Sequence, residues 1–317
     1  MPRVNIYIPD DLHQELRALR GDINISKVCA TALRAELAGT REIHVAESMF
    51  SAIFRGQTWL ELALLRRFPT LLGARAEIKQ TKRHSFADAV ADATTHFLNR
   101  TLVEGCFLGI GGGTHMWDVV RRLDSRDIGM HLWALGYGHV DQHAPHLHPN
   151  ALVTMLSVRF APRSKAHLVG AQRLDWAWHY PTTSPEEQGQ VRRYIIGSCS
   201  MFDPQSVYAT LLGKEMTDFL VEERVIGEYL GVFFTEDGRV LEPWAPSMTV
   251  SHVPAADLWN LAKRTDTSVA LSVVGEHKVR LIQAVLEAGL CNTLITDIDT
   301  ASVLAGVDKP RMDDPLP

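Results

Sequence analysis

The sequence predicts an α/β domain preceded by a small β-α-α arm, and three observations support this fold class. First, 46% of the 317 residues are hydrophobic, which suffices for a buried core. Second, the segment GCFLGI is typical of a buried strand, and a glycine-rich turn and a helix follow it. Third, polar and apolar residues alternate strictly near the amino terminus, and two short amphipathic helices follow. We expect three regions: an arm at 1–40, a mostly helical connector at 41–100 and the α/β domain at 101–317.

The first strand of the arm has two chemically different faces. Between Arg3 and Ile8 the apolar residues fall on one face, and Arg3, Asn5 and Tyr7 fall on the other. Pro9 ends the strand because it has no N–H to donate to a neighbouring strand. The arm therefore begins with a short strand that presents a polar face.

Two predicted helices complete the arm. Asp11 and Gln14 have the spacing of a capping box at the start of the first helix, and Gly21 ends it. Ser26 is a good N-cap for the second helix, whose apolar residues recur at helical spacing as far as Ala38. Both helices have one apolar stripe, so each needs a packing partner.

One strand and two short helices cannot form a core alone, so we expect two copies to pair as an antiparallel ribbon. The arm resembles the ribbon-helix-helix DNA-binding fold, which implies a homodimer bound to a double-stranded DNA operator. By this resemblance Arg3, Asn5 and Tyr7 contact bases, while Ser26 and Lys27 at a helix amino terminus contact phosphate. An ordinary helical hairpin with a solvent-exposed strand remains the alternative.

The connector at 41–100 is too rich in Leu, Phe and Trp for a flexible tether, so we expect it to pack or to dimerise.

The charge distribution is uneven along the chain. Through His84 there are 13 Lys and Arg against 9 Asp and Glu, whereas the whole chain has a net charge of −5. A basic front and an acidic rear suit a protein that presents one end to a polyanion, although ordinary scatter also produces such a difference.

The glycine-rich turn Gly111–Gly113, followed by Thr114 at the start of a helix, has the chemistry of an anion site. Glycines allow close backbone approach, and a helix amino terminus supplies N–H groups and positive potential. The turn lacks the third glycine of a dinucleotide fingerprint and the GK[ST] ending of a P-loop. A purely structural turn is the alternative.

Two later segments, VIGEYLGVFFTEDGRV and KVRLIQAVLEAGLCNTLITD, resemble the effector domain of the sorbitol operon regulator (SorC) family. The resemblance covers 101–306. It implies a Rossmann-like sheet shared with sugar-phosphate isomerases and deaminases. It also implies a cytoplasmic, homo-oligomeric transcription regulator that binds a phosphorylated sugar without converting it, with no catalytic residues, cofactor or metal.

The resemblance also implies a set of effector-binding residues. They are Gly111, Gly112, Gly113, Thr114, His148, Asn150, Gly197, Ser198, Glu228, Lys278 and Asp297. The chain departs from the family pattern at Glu228, where the family has Asp, and at Val232, where it has Arg. The family's usual DNA reader is also a helix-turn-helix and not a ribbon.

Three other interpretations stay open. His143, His146 and His148 could bind a metal, although their spacing matches no helix-face motif. An isomerase or deaminase could use Glu228, Asp297 and His148 for acid–base chemistry. A third possibility is a repressor whose rear domain binds only another protein.

The sequence also favours a cytoplasmic location. The amino terminus has no apolar segment of the kind found in signal peptides, and no stretch has the ~20 apolar residues of a membrane span. The four cysteines form no paired motif, which favours reduced thiols.

Overall fold

The computed structural model describes residues 57–77, 85–137, 144–168, 192–205, 209, 212–241, 250–251, 254–264 and 266–306. The predicted arm, with Arg3, Asn5, Tyr7, Ser26 and Lys27, lies outside the described residues, and so does His143.

The described strands are β1 (Gly73–Glu77), β2 (Phe107–Ile110), β3 (His131–Ala134), β4 (Gly136–Tyr137), β5 (Lys165–His167), β6 (Arg193–Gly197), β7 (Cys199–Met201), β8 (Val225–Tyr229), β9 (Val232–Thr235), β10 (Val240–Leu241), β11 (Val250–Ser251), β12 (Thr267–Ser272) and β13 (Thr293–Asp297).

The described α-helices are α1 (Gln57–Arg67), α2 (Phe86–Thr101), α3 (Thr114–Arg122), α4 (Pro149–Arg159), α5 (Lys214–Glu222), α6 (Ala255–Ala262), α7 (Val279–Glu287) and α8 (Ile298–Ala305). Two single turns of 3₁₀ helix, Pro145–Leu147 and Glu276–Lys278, precede α4 and α7.

A seven-stranded parallel sheet organises the domain, in the order β1-β13-β12-β6-β2-β3-β5. Both faces of the central strands are covered, which explains why β2 and β6 are buried along their whole length. The neighbouring residues Ile195 and Ile196 illustrate this arrangement. Ile195 packs with α1, α6, α7 and α8, and Ile196 packs on the other face with α2, α3 and α4.

The strand order reverses between β2 and β6. From β2 the chain proceeds outward through β3 to β5, and from β6 it proceeds in the other direction through β12 to β13. In open α/β sheets the crevice at the carboxyl ends of the two strands that flank such a reversal is where ligands bind. Gly111 follows β2 at this point, and Gly197 is the last residue of β6.

A second, antiparallel sheet has the order β10-β9-β8-β7 and begins directly after β6. Only Ser198 separates β6 from β7, and Ser200 of β7 is paired with Glu228 of β8. The small sheet therefore places Glu228 near the carboxyl end of β6. A two-stranded ribbon of β4 and β11 completes the described sheets.

The structure confirms the predicted α/β class with a mostly parallel central sheet. One element was not predicted, because strand β1 falls within the connector at 41–100. β1 pairs with β13 from Gly73 to Glu77, so this part of the region joins the main sheet. The division of the chain at residue 100 stays a prediction.

Within the described residues, every helix is too short or too polar to cross a bilayer.

Asn292 is fully buried and joins three elements through its side-chain amide. Its Nδ2 donates to the carbonyl oxygens of Ala262 and Thr267, each at 2.9 Å. Its Oδ1 accepts from the backbone N–H of Val269 at 2.9 Å and from the hydroxyl of Thr293 at 3.2 Å. The amide thus supplies both donors and an acceptor where α6, β12 and β13 meet.

We predict that Asn292→Asp makes the stability of the fold depend on pH. The new carboxyl would face two carbonyl oxygens, which favours its neutral form and raises its folded-state pKa above the ordinary value near ~4. At pH 4 the variant should lose only the contribution of one donor, because a neutral carboxyl can donate to just one of the two carbonyl oxygens. Its stability should fall further, by on the order of 3 kcal/mol, as pH rises through the folded-state pKa. Urea unfolding of wild type and variant between pH 4 and 8 measures the difference. Asn292→Ala is the control, and its loss should not vary with pH; a pH-independent loss in the Asp variant would contradict the prediction.

Candidate functional site

The glycine turn Gly111–Gly113 meets the Gly197-Ser198 segment, called the second glycine turn below, at the point of strand reversal. The N–H of Gly111 donates to the carbonyl oxygen of Ile196 at 2.9 Å. A Cβ atom on Gly111 would lie 3.5 Å from Cα of Gly197 and 3.0 Å from the Leu230 side chain. A Cβ on Gly197 would lie only 2.6 Å from the same leucine. A side chain at Gly197 would therefore displace Leu230, and a side chain at Gly111 would press against the end of the same leucine.

Helix α3 begins at this turn with an uncapped amino terminus. Gly113 occupies the N-cap with φ of 103°, a conformation that favours glycine, and it has no side chain with which to cap the helix. The first helical hydrogen bond runs from Trp117 N–H to Gly113 O at 2.9 Å, so the N–H groups of Thr114 and His115 have no acceptor within the helix. Thr114 is exposed at the first helical position. This end of α3 can therefore receive an anion.

His148 and Asn150 lie beside the first glycine turn. Gly113 N–H donates to Leu147 O at 2.9 Å, which holds the turn against the segment that precedes His148. His148 is the N-cap of α4, and its Nδ1 accepts from the N–H of Asn150 at 3.2 Å. The imidazole of His148 is therefore used in part to start a helix.

The His-rich segment does not converge on one point within the described residues. The ring of His146 packs edge-on against Trp117, with 4.9 Å between the ring centroids, while His148 caps α4. The described part of the chain contains no group of three or more His, Cys, Asp or Glu side chains that could hold a metal ion.

Lys278, the last residue of the 3₁₀ turn before α7, contacts the strand that follows the second glycine turn. Its Nζ donates to the carbonyl oxygen of Cys199 at 3.1 Å, two residues after Gly197. Its positive charge lowers the pKa of His115, in the same direction as burial. It also partly opposes the rise that burial causes in the pKa values of Cys199 and Glu228. Lys278 is therefore the cation that lies between α3, the second glycine turn and the small sheet.

Glu228 is partly buried beside this lysine. Its Oε2 accepts from the N–H of Gly231 at 2.8 Å. Burial raises the pKa of Glu228 to about 7, and the hydrogen bonds from Gly231 and Ser200 and the charge of Lys278 only partly oppose this effect. Near neutral pH the carboxyl can therefore donate or accept a hydrogen bond.

Asp297 is buried and its carboxylate is occupied by the protein itself. Its Oδ1 accepts from Thr300 N–H at 2.9 Å, which caps α8, and its Oδ2 accepts from the Thr300 hydroxyl at 2.6 Å. Oδ2 also accepts from Gly275 N–H at 2.9 Å, three residues before Lys278. These contacts give Asp297 a positioning role in the turn that carries the lysine, and direct contact with an effector stays a prediction.

The structure adds His115 to the site, a residue that sequence reasoning missed. Its Nε2 lies 2.6 Å from the hydroxyl of Ser272, at the carboxyl end of β12. Burial and the charge of Lys278 lower the pKa of His115 to about 4, so its imidazole is neutral at physiological pH. Ser272 is 157 residues away in sequence, which explains why no local pattern indicated this contact.

Comparison with known proteins agrees with this geometry. A family model described as "Putative sugar-binding domain" matches residues 190–305, which include Gly197, Glu228, Lys278 and Asp297. No curated protein matches the chain.

Three solved structures illustrate the structural similarity. The full-length sorbitol operon regulator SorC from Klebsiella pneumoniae has a TM-score of 0.59 at 19% identity, over 78% of this chain and 81% of its own. A DeoR family transcriptional regulator from Listeria monocytogenes has a TM-score of 0.58 at 18% identity, over 79% of this chain and 100% of its own. A transcriptional regulator from Streptococcus pneumoniae TIGR4 has a TM-score of 0.60 at 17% identity, over 79% and 97%. The predicted resemblance of the rear domain to SorC-type regulators is therefore confirmed at the level of the fold.

We predict that Glu228→Gln changes the pH dependence of stability in a defined direction. Because the folded-state pKa is about 7 and the ordinary value is 4.5, this group favours folding fully below about pH 4.5. That contribution is lost as pH rises through about 7. Removal of the charge should therefore stabilise the variant relative to wild type at pH 8, by on the order of 3 kcal/mol more than at pH 5.

Guanidinium unfolding at the two pH values measures this difference. Glu222→Gln, on the exposed surface of α5, is the matched control and should show no such change. An equal effect of Glu228→Gln at pH 5 and pH 8 would show that the carboxyl is ionised in the folded protein at both.

Proposed function

We propose that this protein is a ligand-responsive, DNA-binding transcriptional regulator whose α/β domain binds a small phosphorylated sugar or a similar metabolite without converting it. The observation that carries the proposal is the meeting of two glycine turns, the α3 amino terminus and Lys278 where the strand order reverses. The match of residues 190–305 to a family described as a sugar-binding domain supports it, as does the similarity of the fold to those of transcriptional regulators.

The charges at this point suit an anionic group on the ligand. The α3 amino terminus offers backbone N–H groups and positive potential, and Lys278 offers a full positive charge. A phosphate placed between them would be held by directional N–H donors and by a point charge. Glu228 and the Thr114 hydroxyl supply polar groups of the kind that bind sugar hydroxyls.

The arm at 1–40 supplies the DNA-binding function in this proposal. Its strand would pair with that of a second copy, so that Arg3, Asn5 and Tyr7 of both copies enter the major groove of an operator. Ser26 and Lys27 would contact phosphate. The regulator is then at least a homodimer, and its partners are double-stranded DNA and a small-molecule effector.

Helix α2 offers a route between the effector site and the amino-terminal part of the chain. Arg122, in the last turn of α3, forms ion pairs with Asp88 at 2.5 Å and Asp92 at 3.0 Å on α2. The Thr95 hydroxyl on α2, which donates to Ala91 O at 2.8 Å, also lies 3.3 Å from Val119 O of α3. A shift of α3 on anion binding would therefore move α2. Such a shift alters operator affinity only if the effector prefers one arrangement of the two helices.

A sugar-phosphate isomerase or deaminase is the second candidate, and the raised pKa of Glu228 favours it. A carboxyl with a pKa of about 7 is suited to general acid–base catalysis. The same property also arises from burial in a polar binding site, so activity must be measured directly.

Fluorescence anisotropy of a labelled duplex from the protein's own promoter region tests the proposal. Titrations at two salt concentrations, with a panel of sugar phosphates, should give specific binding that weakens with salt and changes with at least one compound. Turnover of a sugar phosphate in the absence of DNA binding would establish the enzyme instead.

We predict that Arg3→Ala abolishes most discrimination between operator and scrambled duplex. Loss of a bidentate contact to guanine should reduce the ratio of the two affinities about 5- to 150-fold. Arg3→Lys is the matched control, because it retains the charge and its salt dependence but lacks the forked donor pair. Discrimination at the wild-type level in Arg3→Ala would exclude Arg3 as a base-reading residue.

We predict that Lys278→Ala weakens the effector response and spares operator binding without effector. Loss of a charge-assisted contact should raise the effector concentration for half-maximal response by about 10- to 100-fold. Lys214→Ala, which removes an exposed lysine of α5, is the control and should respond as wild type does. The assignment fails if the two lysine variants need the same effector concentration.

A further inference from the structure

A chain of hydrogen bonds determines which nitrogen of His115 carries the proton. The Thr94 hydroxyl lies 2.7 Å from the carbonyl oxygen of Val90, which can only accept, so Thr94 donates there. Thr94 Oγ1 is also 2.6 Å from Ser272 Oγ, and since the threonine proton is already used, Ser272 donates to Thr94. Ser272 Oγ then has no proton left for His115, so Nε2 of His115 donates to Ser272 at 2.6 Å.

The neutral imidazole consequently has its lone pair on Nδ1. This atom is shielded from solvent, and it has no hydrogen-bond partner among the described residues. A buried acceptor without a donor is unfavourable, and such atoms in native proteins usually have a specific reason. His115 is the second residue of α3, next to the glycine turn and Thr114.

We propose that Nδ1 of His115 accepts a hydrogen bond from a hydroxyl group of the effector, and that Thr94 and Ser272 hold the ring in the tautomer that makes this possible. The inference rests on the proposed function and defines the ligand class more narrowly. The effector carries a hydroxyl group close to the anionic group that binds the α3 amino terminus.

The contact with His115 favours the binding of polyol phosphates over anions that have no hydroxyl group. A bare Nδ1 lone pair repels carboxylate and phosphate oxygens, so His115 does not contribute to binding the anion itself. Instead, His115 accepts a hydrogen bond from a hydroxyl group on the carbon chain that carries the anionic group. A site that is built to accept from a hydroxyl discriminates strongly against ligands that lack one.

Two substitutions separate the nitrogen atoms of the ring. His115→Gln places an amide group near the position of Nε2, so it can keep the contact to Ser272 but loses the acceptor at Nδ1. His115→Asn places an amide oxygen near the position of Nδ1 and loses the contact to Ser272. The Gln variant therefore removes the proposed ligand contact, and the Asn variant retains a group that can make it.

Isothermal titration calorimetry of the full chain tests the proposal. The ligands are inorganic phosphate, ribose 5-phosphate, fructose 6-phosphate and glucose 6-phosphate. For each sugar phosphate that binds, the affinity relative to inorganic phosphate should fall about tenfold in His115→Gln and less in His115→Asn. The affinity for inorganic phosphate itself should not change. An unchanged ratio in His115→Gln would show that Nδ1 makes no contact with the effector and would overturn the inference.

Nitrogen-15 NMR of histidine-labelled protein provides a readout that needs no ligand. The ring signal lost in His115→Gln should have the shifts of the neutral Nε2–H tautomer at pH 7, and Ser272→Ala should change that tautomer balance. An Nδ1–H tautomer or a charged ring at pH 7 would overturn the inference, whatever the protein binds. If this signal is as expected but neither phosphate nor any of the three sugar phosphates binds, the proposed sugar-phosphate function fails and the ligand assignment fails with it.

Discussion

The site depends on the close contact between strands β2 and β6 at their carboxyl ends. The N–H of Gly111 donates to Ile196 O, and a Cβ on Gly197 would lie 2.6 Å from the Leu230 side chain. A side chain at Gly197 would displace Leu230, and one at Gly111 would press against the same leucine. Because the strand order reverses between these strands, the contact also forms the base of the crevice in which α/β sheets bind ligands.

The groups around this crevice come from elements that are far apart in sequence. The first glycine turn brings the amino terminus of α3, and β12 brings Ser272 to His115. The 3₁₀ turn before α7 brings Lys278 to the carbonyl of Cys199, and Asp297 holds that turn through Gly275. Burial neutralises His115 and raises the pKa of Glu228, and the charge of Lys278 acts on both.

A site with a cation, a helix amino terminus and neutral hydrogen-bonding groups suits a ligand that carries both an anionic group and hydroxyl groups. Glu228 is the one residue in this group whose pKa would also serve a general acid or base. The residues of the site are therefore compatible with both a sensor and an enzyme. The features that distinguish the proposed regulator from an enzyme are the amino-terminal arm and the link from α3 to α2 through Arg122.

Local patterns in the sequence were sufficient to predict the α/β class and the glycine turn before α3. They were also sufficient to indicate the resemblance of the rear domain to SorC-type effector domains. These features depend on short segments, because hydrophobic periodicity and glycine content act within a few residues. The arm at 1–40 is likewise a local prediction, and it lies outside the described residues.

Only the tertiary structure revealed that β1 joins the main sheet, that Asp297 caps α8 and holds Gly275, and that His115 binds Ser272. β1 was missed because GARAE lacks the apolar character of a buried strand, and its position depends on the partner β13, which lies more than 200 residues later. The tautomer of His115 depends on Val90, Thr94 and Ser272, which only folding brings together. The sequence by itself therefore predicted which turn has the chemistry of an anion site. The fold decided which side chains surround that turn, because burial and partners at long range set their charge and hydrogen bonding.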